Sequence, residues 1–153
     1  MNSLHQQPGA AFEGTHAGYF VIADISGYTG FLTSNELAHA HGIMAEFSSL
    51  LIEKLSAPFR FVELEGDAAF VFAPDVAVED SERLLDIIEG CYAAFPNRLD
   101  QMAVNTSCEC SACRAIQDLD LKFVAHFGCY VPQDTPTGTR LFGKVEPKSN
   151  CKK

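Results

Sequence analysis

The stretch FRFVELEGDAAFVFA, residues 59–73, reads as two strands, Phe59–Leu64 and Ala68–Ala73, joined through Glu65-Gly66-Asp67. Aromatic and aliphatic side chains fill both flanks, and a Gly-Asp pair in so short a connection marks a hairpin with an acidic tip. Upstream, Gly18–Asp24 (GYFVIAD) is a buried-type strand ending at Asp24, and Ser26 and Gly27 favour a turn after it. From Asn35, read as an N-cap, Leu37, Ala40, Met44, Phe47 and Leu51, with Ile43 and Leu50, recur at helical spacing as far as Leu55. Ser81 opens a second helix with an apolar stripe of Leu84, Ile88, Cys91 and Phe95. Pro96 kinks or ends it, and Asn97–Val104 is a candidate continuation. Leu121–Tyr130 is a further strand, and Pro132–Thr139 reads as a loop leading to a short basic end. The order is strand, helix, hairpin, helix, strand. The hairpin separates it from a run of βαβ units, so the expected fold is an α+β sandwich of ferredoxin-like outline, an antiparallel sheet with helices on one face.

At 153 residues and 47% apolar composition the chain suits one globular domain. Residues 1–17 carry no periodicity and read as a loose arm, leaving 18–153 as the domain. No run approaches the roughly 18 apolar residues of a membrane span, and the N-terminus has neither a basic start nor an apolar core, so a soluble cytoplasmic protein is expected. Residues 1–139 hold six basic against 19 acidic side chains, a charge of −13, and residues 140–153 hold five against one, or +4. A body of that sign repels a phosphate backbone, which argues against nucleic acid as a partner. Clustered carboxylates suit divalent cations instead.

Asp24 ends the first strand and Asp67 sits in the hairpin tip. If the two strands are neighbours, both carboxylates converge at one edge, a pair suited to Mg²⁺ or Mn²⁺, with Gly27 and Gly66 letting backbone approach a phosphate. The segments carrying these residues resemble known ones. Ala23-Asp-Ile-Ser-Gly-Tyr-Thr29, with Phe31 and Leu32, is similar to the opening motif of class III adenylate and guanylate cyclase catalytic domains. The hairpin VELEGDAAF, residues 62–70, resembles their second metal motif, and LKFVAHFG, residues 121–128, their later strand ending in His-x-Gly. The resemblance implies a nucleotide-cyclase-type sandwich, a homodimer with ATP or GTP bound at its interface, and two Mg²⁺ or Mn²⁺ ions held by Asp24 and Asp67 as the catalytic carboxylates. The ions would activate the ribose hydroxyl and neutralise the leaving pyrophosphate. It further implies that the backbone of Ile25, Ser26, Gly27, Tyr28 and Thr29 cradles phosphate oxygens, and that Glu63 stands at a base-selecting position, where a carboxylate accepts from the donor edge of guanine.

The resemblance also has departures. Aligning Leu141-Phe-Gly143 on the corresponding turn puts Arg140 at the second base selector, and Pro147 and Cys151 where the family carries the Asn and Arg that stabilise the transition state. The sequence stops at Lys153, where the family continues into a last helix. Because such donors often supply the largest catalytic contribution, weak or absent turnover is expected. Two further readings stand beside this one: a catalytically inactive, cyclase-derived signalling or binding module, and a zinc-stabilised interaction domain.

Six cysteines without a signal peptide read as reduced thiols or metal ligands rather than a disulfide framework. Cys108, Cys110 and Cys113 form a C-x-C-x-x-C pattern in an insertion at about residues 105–115. Ordinary cyclase domains lack such an insertion, and it looks like one carried by a small bacterial group of cyclase-like proteins. A short loop of this spacing can bring three thiolates onto one zinc ion. Redox-active thiols and iron–sulfur ligation are the alternatives. A fourth ligand would come from Cys91, His126, Cys129, Cys151 or a second subunit. Cys91, on an apolar stripe, also reads as core, His126 as a hydrogen-bonded core histidine, and His39 and His41, two apart on a helix, as surface or partly buried residues.

Overall fold

Alternation along β1 (His16–Ser26) sorts its side chains onto two faces. In the computed structural model, which describes residues 14–144 and Cys151, Val21, Ala23 and Ile25 are buried on one face, and Ile22 on the other is 40% exposed. Helices cover the first face. After β1 come α1 (Tyr28–Ser34), α2 (Leu37–Leu55), β2 (Arg60–Glu65), β3 (Ala68–Pro74), α3 (Asp75–Val78), α4 (Ser81–Asn105), α5 (Ser111–Arg114), a 3-10 turn at Ile116–Asp118, β4 (Asp120–Thr135) and β5 (Gly138–Lys144). All neighbouring strands pair antiparallel in the order β2-β3-β1-β4-β5. This is the α+β sandwich expected from the hairpin.

The core lies between the sheet and the two long helices. From α2 it takes Ala40, Ile43, Met44, Phe47, Leu51 and Leu55, and from α4 Leu84, Cys91, Phe95 and Leu99. The Phe47 and Phe95 rings meet at 4.8 Å, and Arg98 pairs with Glu46 at 2.7 Å. Moving towards the start of α2 therefore goes with moving towards the end of α4. Pro96 neither ends nor interrupts α4, which runs on to Asn105. The hydrogen bond that Pro96 cannot donate is offset by burial of Phe95 and Leu99 on either side of it.

Further expectations are corrected. Asn35 does not cap α2, whose N-cap is Glu36; it closes α1, its side chain donating to the Phe31 carbonyl. The first strand passes Asp24 to reach Ser26, and it begins at His16, inside the expected arm; residues 1–13 lie outside the described residues. Residues 132–139 are not a loop, because β4 continues to Thr135 and turns directly into β5. Past Tyr130 β4 no longer pairs with β1, so Pro132 sits where a missing N–H breaks no second ladder. His126 is not a core residue; it lies opposite Phe20 on the uncovered face, exposed.

That face carries a smaller aromatic cluster, in which Tyr130 packs edge-on against Phe20 and Phe72. Gly18 makes room for it, since a Cβ there would run into the Ala73 carbonyl oxygen and the Tyr130 ring. Gly18→Ala is expected to cost about 1–3 kcal/mol in urea unfolding. Gly90→Ala, in α4 with open space around it, should instead stabilise by roughly 0.5–1 kcal/mol.

Candidate functional site

Because β1 lies beside β3, with Ala23 opposite Ala69, the end of β1 stands against the β2–β3 turn. The Ile25 N–H donates to Asp67 Oδ2 at 3.1 Å. The Asp24 carboxyl is close enough to raise Asp67, so the two carboxyl groups are near neighbours. Both side chains are half-buried. Asp67 is pushed up to about 6, first by burial and then by its hydrogen bond to Asp24 and the like charge there; the N–H groups it accepts from oppose this. Two neighbouring acceptor-rich groups of like charge are a pair that a divalent cation would relieve. Gly27 takes a left-handed φ of 89°, a turn that glycine makes without strain, and α1 follows it directly. Of the five backbone amides expected to face a phosphate, the one at Ile25 is engaged by Asp67.

Glu63 and Arg140 are not at this pair. They line a separate cavity of about 500 Å³ between β2 and β5, together with Val62, Thr135, Leu141 and Phe142. The sheet curls enough to bring its two edge strands to one cavity, which places an acceptor and a donor of opposite charge on its wall. Within one chain neither Asp24 nor Asp67 lines it. Pro147 lies outside the described residues. Cys151 is disulfide-bonded to Cys129 and buried, contrary to the expectation of reduced thiols or ligands for those two residues, and it offers no positive charge.

The three clustered cysteines are free thiols, gathered where α5 packs beside α2. The fourth group beside them is none of those expected. Cys91 is buried in the core, its thiol pushed up to about 11 by burial, and His126 is on the far face of the sheet. Instead His39, in the first turn of α2, brings Nδ1 to 3.2 Å from Cys110 Sγ and 3.5 Å from Cys108 Sγ. The ligand atoms of His39, Cys108, Cys110 and Cys113 all lie within 4.8 Å of one another. No spacing signal pointed to His39, which is 69 residues from the nearest of these cysteines. It is brought there by the antiparallel packing of α2 and α4. Cys110 is pulled down to about 6, chiefly by the N–H of Cys113 and then by the His39 ring, and His39 is raised in turn by that contact.

This arrangement is the fold of adenylyl and guanylyl cyclase catalytic domains. The guanylyl cyclase Cya2 superposes with a TM-score of 0.66 at 10% identity, over 86% of this chain and 64% of that one. The guanylate cyclase domain of RhGC from Catenaria anguillulae, solved in complex with GTP, gives 0.53 at 10% identity, over 90% and 71%. The chain belongs to the family described as "Protein of unknown function (DUF2652)", whose model matches residues 44–145. A curated relative, "Uncharacterized protein Rv2561/Rv2562" of Mycobacterium tuberculosis (strain ATCC 25618 / H37Rv), is 32% identical over 84 residues. That match takes in 55% of this chain and 39% of the relative's length. Among the described residues no helix is long and apolar enough to cross a membrane.

In the metal-free protein, an NMR titration of the Asp67 carboxyl should show a midpoint near 6 rather than the ordinary 3.8. Asp24→Asn should lower that midpoint without restoring the ordinary value, because the burial remains. The folded chain holds this proton more tightly than the unfolded one. The stability it contributes is therefore full below 3.8 and lost as pH rises through about 6. Asp67→Asn should remove that slope from unfolding measured between these limits.

Proposed function

We propose that this chain is a cyclase-like domain that binds a purine nucleoside triphosphate, GTP in preference to ATP, with Mg²⁺ or Mn²⁺ at Asp24 and Asp67, and turns it over slowly or not at all. The observation that carries the reading is the convergence of Asp24, Asp67 and the Ile25 N–H at the end of β1. The two carboxylates fit a hard cation through their oxygen donors and through the raised Asp67 proton that the cation would displace. Bound there, the metal supplies charge neutralisation of the triphosphate and polarisation of its α-phosphate. Ser26, Gly27, Tyr28 and Thr29 lie beside the pair, with backbone amides to offer the phosphates. Asp67 releases its proton as the cation enters, so affinity rises with pH through about 6.

The separation of this pair from the Glu63–Arg140 cavity supports a homodimer. A nucleotide long enough to span both would use the carboxylates of one protomer and the cavity of its partner. In that cavity a Glu63 carboxylate accepts from the two N–H donors on the pairing edge of guanine, and Arg140 donates to its O6 and N7. Adenine presents one donor group there, which favours GTP. Slow turnover follows from the place expected to hold an arginine, where Cys151 is tied to Cys129. Zinc, the other metal expected from the sequence, belongs to the cysteine cluster on the helix side of the sheet and takes no part in this binding.

The test is to titrate the full chain with GTP and ATP, with and without Mn²⁺, while assaying for cyclic product. Mn²⁺-dependent GTP binding with little or no product is expected. Asp24→Ala and Asp67→Ala should each abolish binding. Glu63→Ala should weaken GTP about 5- to 100-fold while changing ATP less, the cost of leaving guanine donors unpaired. Nucleotide binding that ignores both the metal and the two aspartates would overturn the reading.

A further inference from the structure

We infer that Cys108, Cys110, Cys113 and His39 form one tetrahedral zinc site, which clips the first turn of α2 to the segment that follows α4. A tetrahedron with Zn–S of about 2.3 Å and Zn–N of about 2.0 Å has edges of roughly 3.5–3.8 Å. The distances from His39 Nδ1 to Cys110 and Cys108, 3.2 and 3.5 Å, and the 4.8 Å limit over all four atoms lie around those edges. The four donors need little rearrangement to close on an ion. Three thiolates and one imidazole are soft to borderline donors, a set that selects zinc over the hard cations suited to Asp24 and Asp67.

Groups around the donors already hold the sulfurs in place. The Cys113 N–H donates to Cys110 Sγ at 3.4 Å, so the C-x-x-C segment is folded into a turn that points both sulfurs the same way. Thr106 donates its hydroxyl to Cys113 Sγ at 3.7 Å and accepts from the Cys108 N–H at 3.2 Å. Such outer contacts orient ligands and are part of a working metal site. Below the cluster, Ala112, Ile116 and Leu119 are buried, which anchors the loop to the core independently of the metal. Redox-active thiols would need no histidine from another helix, and the four donors are complete within one chain.

The crosslink joins elements that are far apart in sequence. It spans His39 and the cysteines 69 and 71 residues further on. The segment it holds also backs the turn after β1, since a Cβ at Gly27 would lie 3.5 Å from the Asp118 carbonyl. An ion here restrains the α2 start and the cysteine loop together.

The test uses the full chain, expressed with zinc and purified reduced. Elemental analysis should find one zinc per chain, and cobalt substitution should produce the intense d–d bands of a tetrahedral ion and a thiolate-to-cobalt charge-transfer band. His39→Ala, at an exposed position and so expected to fold, should lose its zinc to a competing chelator that leaves wild type loaded, and should shift the cobalt bands. His41→Ala should match wild type. Zinc at about 1,000 times its Kd should raise Tm by roughly 10 °C. Stripping the metal should speed hydrogen exchange at Leu37–His41 while far-UV dichroism is kept. Reduced wild type without stoichiometric zinc, iron with cluster absorption in its place, or a His39→Ala protein with unchanged zinc affinity and cobalt spectrum would each overturn the inference.

Discussion

The hydrogen bond from the Ile25 N–H to the Asp67 carboxylate exists only because β1 pairs antiparallel with β3, and much of the molecule follows from that pairing. It places the hairpin tip against the end of the first strand, 42 residues away in sequence. It leaves β1 central, flanked by β3 and β4, so its odd-numbered side chains Val21, Ala23 and Ile25 become the floor on which α2 and α4 pack. The same alternation turns Asp24 to the uncovered face. Burying that face of the strand and presenting the carboxylate are therefore one structural fact.

Two donor sets of opposite chemical character are kept apart by the sheet. At the end of β1 two half-buried carboxyl groups lie together. On the helix side three thiols and an imidazole gather where α2 begins. Hard oxygen donors and soft sulfur donors select different cations, so the proposed sites would not compete for one metal. They are nonetheless mechanically close, because the segment from Ser111 to Asp118 touches α2 on one side and the Gly27 turn on the other.

Legibility of the fold from sequence tracked how local the signal was. The hairpin at 59–73 and the stripe on α4 were readable because turn chemistry and helical period are local. Asn35 misled because a good N-cap residue also serves to close the preceding helix, and α1 is too short to show a period of its own. The end of β4 and all of β5 were misread because Pro, Gly and Thr signal a loop, whereas here they form an arm with one neighbouring strand. Of the candidate sites, Asp24 and Asp67 were legible through the strand and turn that hold them. His39 was not, since its position beside Cys110 depends on how α2 packs on α4. The Cys129–Cys151 disulfide likewise joins residues related by no local pattern.

The most direct test of the proposed carboxylate site is to add Mn²⁺ to the ¹⁵N-labelled, zinc-loaded chain and follow paramagnetic broadening of its amide signals. Broadening that begins at Asp24, Ile25 and Asp67, and disappears in Asp67→Asn, is the predicted result. Broadening that begins elsewhere, or that is the same in Asp67→Asn as in wild type, would contradict it.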